Sequence, residues 1–108
     1  MIDAPIFTAL ADPLRRNLLL NLAEHSPRTA TQLKADYEIT RQGILKHLQI
    51  LQEAGLVTVR QQGREKQFSL RPEPLSEVNE WIKSLSAKWD DRLLRLKAFI
   101  ESDETGGG

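Results

Sequence analysis

Between Thr40 and Gln49 the chain reads TRQGILKHLQ, a stretch dense in side chains that can read or grip a polyanion. Arg41 can donate two bonds to a guanine edge, Gln42 and Gln49 can each pair with adenine, and Leu45 can meet a thymine methyl. Lys46 can neutralise a phosphate, and Gly43 lets a partner approach the backbone. On a helix turning about 100° per residue, Ile44, His47, Leu48, Ile50, Leu51 and Ala54 fill one arc, which is core. Gln42, Leu45, Lys46, Gln49 and Glu53 fill the opposite arc, with Arg41 and Gln52 at its edge. Side chains near the start of such a helix are the ones that reach base edges in a major groove. A solvated face with one exposed leucine has the same composition, so the flanking elements must decide between them.

A second basic group follows in RQQGREK, where Arg60, Arg64 and Lys66 surround Gly63. Taken alone this is an ordinary charged β-turn. Placed after a helix with one polar face, it suits phosphate contacts or insertion into a minor groove. From Arg41 to Lys66 there are five Lys or Arg against two Glu, whereas the segment after Pro72 has eight acids against five bases. The formal net charge of zero thus conceals a modestly basic head and an acidic body.

The elements that must position these groups can be read from spacing and punctuation. Pro5 to Ala11 forms a short helix with Phe7, Leu10 and Ala11 on one face. Asp12 can cap the next helix and Pro13 suits its first position; Leu14, Leu18, Leu19 and Leu22 recur at core spacing. SPRT breaks that helix. TATQLKADY forms a third, with Thr29 or Thr31 as cap and Leu33 at its centre. EIT is a turn, and Thr40 caps a fourth helix running to about Ala54, where Gly55 ends it. Leu56 to Arg60 is rich in β-branched residues, QQGR turns, and Glu65 to Leu70 alternates: a hairpin. From Leu75 to Glu101, Leu75, Val78, Ile82, Leu85, Trp89, Leu93, Leu96 and Ile100 keep spacings of three or four, a stripe too long for one small core to cover. Part of it is expected to pack against another subunit.

The expected fold is therefore mainly α with a small β-hairpin, in the order α-α-α-α-β-β-α. Two short helices joined by a tight turn make a helix-turn-helix, and the hairpin after the second makes it winged. One domain is expected over 1–105, with N- and C-terminal dimerisation helices and a flexible GGG tail at 106–108.

At 108 residues the chain suits one domain with one core. Neutral overall charge supplies no argument for nucleic acid, so the basic patch must be local. The absence of cysteine excludes disulfides, thiolate metal sites and cysteine nucleophiles. The N-terminus does not read as a signal peptide, and no apolar run reaches the roughly 20 residues that span a bilayer; a soluble cytoplasmic protein is the expectation. Enzymatic chemistry finds no support. Ser26, Ser69, Ser76, Ser84 and Ser86 stand in no nucleophile signature, Asp90 and Asp91 point apart on a helix, and there is no Gly-rich phosphate loop. His47 lies on the apolar arc and is expected to be packed and hydrogen-bonded; His25, near a helix end, can interact with its dipole. Arg15 and Arg16 divide between a phosphate contact and a surface salt bridge.

LADPLRRNLLLNL, ITRQGILKHLQILQEAGLV and REKQFSL resemble the ArsR-type winged-helix transcriptional regulators, over Phe7 to Glu101. The KHLQILQEAGLV block is the most specific part. LRPEPLSEVNEWI and WDDRLLRLKAFIE are similar to the branch whose last helix carries this tryptophan pattern. The resemblance implies a homodimeric, double-stranded-DNA-binding repressor, paired through its first and last helices; the matching positions are Phe7, Leu10, Trp81, Leu85, Trp89, Leu93 and Leu96. It implies a palindromic operator read by Thr40, Arg41, Gln42, Gly43, Leu45, Lys46 and Gln49, with Arg60, Arg64 and Lys66 on the wing. Metal-sensing relatives use cysteines, or Asp and His clusters on the last helix. This chain has no cysteine and only His25 and His47, so no metal and no cofactor are expected. Leu45 replaces the small polar residue, often serine, that is usual there. Two other readings stay open. One is a winged helix that docks a protein through Leu45 without binding DNA. The other, compatible with DNA binding, is a regulator with an effector cavity lined by Trp81 and Trp89; the effector itself is unspecified.

Overall fold

The computed structural model describes residues 4–106. Helix α1 (Ala4–Leu10) turns Ile6 and Ala9 inward, while Phe7, on the face shared with Leu10, is 42% exposed. Helix α2 (Pro13–Glu24) starts as its punctuation predicts: the Asp12 carboxylate accepts the Leu14 N–H at 3.4 Å, and Pro13 takes the first turn, where no N–H donor is required. Leu18, Leu19 and Leu22 are buried. Arg15 and Arg16 turn back to the end of α1. Arg15 donates to the Ala9 and Thr8 carbonyls at 2.9 and 2.8 Å, and Arg16 to the Leu10 carbonyl at 2.7 Å. They lie in the last turn of α1, where carbonyls lack helical partners, although the Thr8 carbonyl also accepts the Ala11 N–H at 3.3 Å; the two arginines thus fasten α1 to α2.

The segment read as a simple break contains a short strand, β1 (Arg28–Thr29). Helix α3 (Ala30–Lys34) follows directly. Of the two candidate caps the chain uses Thr29: its hydroxyl accepts the Gln32 N–H at 3.1 Å, and Gln32 returns a bond to the Thr29 N–H at 2.9 Å. Helix α4 (Arg41–Glu53) is capped by Thr40, whose hydroxyl accepts the Gly43 N–H at 3.0 Å. It ends at Gly55, whose φ of 76° is the left-handed conformation that glycine adopts without a Cβ penalty. Strands β2 (Val57–Gln62) and β3 (Glu65–Leu70) pair antiparallel from Val57 opposite Leu70 to Gln62 opposite Glu65. The first strand thus runs two residues past the predicted Arg60. Its two-residue loop puts Gly63 at a φ of 63°. β1 adds to the other edge of β3, giving the order β1-β3-β2. Helix α5 (Glu73–Gly106) is longer at both ends than the Leu75 to Glu101 reading. Of the predicted tail, Gly106 is the last residue of α5, and positions 107 and 108 lie outside the described residues.

Packing divides the chain into two units, 1–76 and 77–108. The first has a core centred on Leu18, Leu22, Leu33, Ile44, Leu48, Leu51 and Leu56, all fully buried. Polar bonds hold the turn after α3 onto α2. Asn21 and Arg28 both donate to Asp36, at 3.0 and 3.1 Å, and the Tyr37 hydroxyl donates to Asn17 at 2.7 Å. The Asn21 hydrogen bond, partly opposed by burial and reinforced by the Arg28 guanidinium, holds the Asp36 carboxyl below the usual carboxylate range. The second unit is the body of α5. Its large apolar residues, including Trp81, Leu85, Trp89, Leu93, Leu96 and Phe99, are 47–71% exposed.

Candidate nucleic-acid interface

The inner arc of α4 behaves as the wheel requires. Ile44, Leu48 and Leu51 are buried completely, and Ala54 is 8% exposed. His47 is part-buried: its Nδ1 lies 3.3 Å from the Asp12 carboxylate and 3.3 Å from the Arg15 guanidinium. The histidine therefore ties the inner side of α4 to the cap of α2. The same bonds commit Arg15 to the interior. Arg16, on the exposed side, is engaged by α1, so both arginines have a structural use that their sequence context left open.

The outer arc divides into two faces. Gln42, Lys46 and Gln49 are exposed, and Gln49 donates to Glu53 one turn on, at 3.4 Å. Leu45 is only half-exposed. It lies on the flank of α4 toward the hairpin, where it lines two neighbouring hollows. One of about 210 Å³ is bounded by Thr31, Arg41, Leu45, Arg64, Lys66 and Phe68, among others. The second, of about 380 Å³, is bounded by Leu45, Gln49, Gln52, Val59, Lys66 and Phe68. Arg41 is on the same flank, and its Nε donates to the Thr31 hydroxyl of α3 at 3.3 Å. Gly43 is close to its own cap: a Cβ there would lie 3.3 Å from the Thr40 hydroxyl oxygen and 3.4 Å from the Ile39 side chain.

Strand alternation sorts the wing residues. Val59 faces Phe68 across the hairpin, and Gln61 faces Lys66; all four line the hollows beside α4. Arg60, opposite Gln67, is on the other face of the hairpin. The predicted wing trio is thereby divided: Arg64 and Lys66 join Arg41 around one hollow, and Arg60 does not. Thr31 and Gln61 were not among the candidates. Thr31 reads in the sequence only as a helix cap, and its contact with Arg41, ten residues on, has no local signature.

Neither histidine sits in a cluster of ligands. His25 pairs with Glu24 at 3.9 Å, and among the described residues no three His, Asp or Glu side chains converge. No helix of the described residues is long and apolar enough to cross a membrane.

Comparison with known proteins places this arrangement. A helix-turn-helix domain model matches residues 10–60. The chain is 40% identical over 84 residues to the uncharacterised HTH-type transcriptional regulator YuzN of Bacillus subtilis, covering 71% of this chain and 91% of that one. It is 28% identical over 88 residues to the transcriptional repressor SdpR of the same organism, covering 82% and 97%. Among solved structures, an ArsR-like transcriptional regulator from Rhodococcus sp. RHA1 superposes with a TM-score of 0.79 at 33% identity, covering 92% of this chain and 90% of that one.

Proposed function

The chain belongs to the ArsR-type winged helix-turn-helix transcriptional regulators, and from that premise we propose that it represses transcription as a homodimer bound to a palindromic operator in double-stranded DNA. The observation that carries this reading is the exposed polar face of α4 set beside a wing whose Arg64 and Lys66 converge with Arg41. Each subunit presents the start of α4, from Thr40 to Gln49, to a major groove, and the wing to the adjoining backbone or minor groove. Two-fold symmetry spaces the half-sites about one or two helical turns apart. Repression follows if the bound dimer occludes the polymerase, in keeping with a relative that is named a repressor.

The dimer is assigned to Phe7, Leu10, Trp81, Leu85, Trp89, Leu93 and Leu96. Six of these seven, all but Leu10, are large apolar residues exposed by 42–58%. A lone helix cannot cover its own apolar stripe, and exposed apolar surface on this scale marks an interaction site. On the first unit, Leu10, Leu19, Leu20, Leu70 and Leu75 line an apolar hollow that association would also shield. The test is a titration of labelled duplexes with the full chain, combined with sedimentation. The expected complex holds two chains per duplex and weakens as salt rises, because Lys and Arg displace counterions. Absence of binding to any duplex at low salt contradicts the reading.

A further inference from the structure

We infer that the cleft between α4 and the wing seats the sugar–phosphate backbone of one DNA strand, with Arg41 as a phosphate clamp and not a base reader. This rests on the DNA-binding reading above and assigns the contacts within it. The first observation is where Arg41 points. Taking Gln42 as the outermost position, Lys46 and Gln49 lie within about 40° of it around α4, whereas Leu45 lies about 60° and Arg41 about 100° toward the wing. Arg41 is therefore turned away from the face that would meet base edges. Its Nε is held by the Thr31 hydroxyl at 3.3 Å, and both residues line the cleft, so the bond fixes the guanidinium at the cleft's edge.

The second observation is the charge of the cleft. Arg41 stands on one side and Arg64 and Lys66 on the other, with Glu65 the single acid in the lining. The first turn of α4 contains no acidic residue either, so the positive end of the helix dipole is not offset from within. Three cations against one carboxylate around about 210 Å³ leave the cleft net positive and suited to an anion. The rest of the lining mixes apolar Leu45, Ala30 and the buried Phe68 with polar Thr29, Thr31 and Gln61. Cations beside a partly apolar lining match a backbone strand, whose phosphate oxygens are anionic and whose deoxyribose presents C–H surface. Leu45 then packs against sugar, and reading of bases passes to Gln42, Lys46 and Gln49.

The experiment measures anisotropy with two duplexes, one enriched from a random pool and one scrambled, between about 50 and 200 mM salt. The full chain is compared with Arg41→Gln, Thr31→Val and Gln42→Ala; all three positions are exposed, and thermal melts check the fold. Arg41→Gln is expected to weaken both duplexes by the same factor and to reduce the slope of log affinity against log salt by about 0.9 per subunit. Thr31→Val, which keeps the charge but frees the side chain, should weaken both duplexes equally with the slope retained. Gln42→Ala should lower the preference for the enriched duplex and leave the slope alone. If Arg41→Gln instead abolishes the preference with the salt slope unchanged, the clamp is refuted while DNA binding stands. If the unaltered chain binds neither duplex, the DNA-binding reading itself is lost.

Discussion

Arg15 illustrates how much of this molecule depends on single side chains with several partners. It donates to two α1 carbonyls and lies beside both Asp12 and His47. Arg15→Ala removes the Ala9 carbonyl's side-chain donor, while the Thr8 carbonyl keeps the Ala11 N–H, and urea unfolding should show a loss of about 1–3 kcal/mol. Asp36 makes a pH-dependent contribution. Its carboxyl is held below the ordinary range by Asn21 and Arg28, so it favours the folded state whenever it is ionised. That contribution is complete above the ordinary aspartate value of about 3.9 and disappears as pH falls through the lowered folded value. Urea midpoints of the parent and Asp36→Ala should therefore differ at neutral pH and approach one another only below about pH 4. At this scale the sequence was informative about residue type and less so about direction. The wheel separated Leu45 from the core arc, but it could not reveal that Leu45 is half-covered beside the hairpin, because the wing returns from more than ten residues away.

Among the elements, those set by local chemistry were legible. Asp12 with Pro13, Thr40, and Gly55 act through hydrogen bonds and backbone preferences within a turn of the helix they delimit, so their effect can be read without the rest of the fold. β1 was missed for the converse reason. It is two residues long, follows Pro27, and exists only because Arg28 meets Phe68 and Thr29 meets Gln67; no alternation can show over two residues. Ile6 was missed likewise: one α1 face carries Phe7 and Leu10, and only packing reveals that Ile6 and Ala9 turn inward. The end of α4 offers a direct check. Gly55→Ala places a Cβ on a residue with a φ of 76°, which costs about 1–2 kcal/mol. Thermal melts should show that loss, and Gly63→Ala, at a φ of 63°, should show a similar one, since the added carbon makes only ordinary contacts at Gly55 and none within 4 Å at Gly63.

For the whole molecule, the apolar stripe of α5 was apparent from spacing alone, since a 3.6-residue repeat over many turns survives any error in its ends. What spacing could not give is what covers it. The homodimer reading predicts that Trp89→Asp combined with Leu93→Asp converts the protein to a monomer in sedimentation velocity and lowers affinity for a two-half-site duplex by at least tenfold, because one subunit then binds without its partner. The helix-turn-helix unit, with its own core, should keep its fold. The central claim is that this winged helix reads a specific duplex as a dimer. Selection of bound sequences from a random double-stranded pool tests it most directly. The account predicts enrichment of an inverted repeat whose half-sites are about one or two turns apart. Recovery of sequences no different from the starting pool, at salt low enough to permit binding, would contradict it.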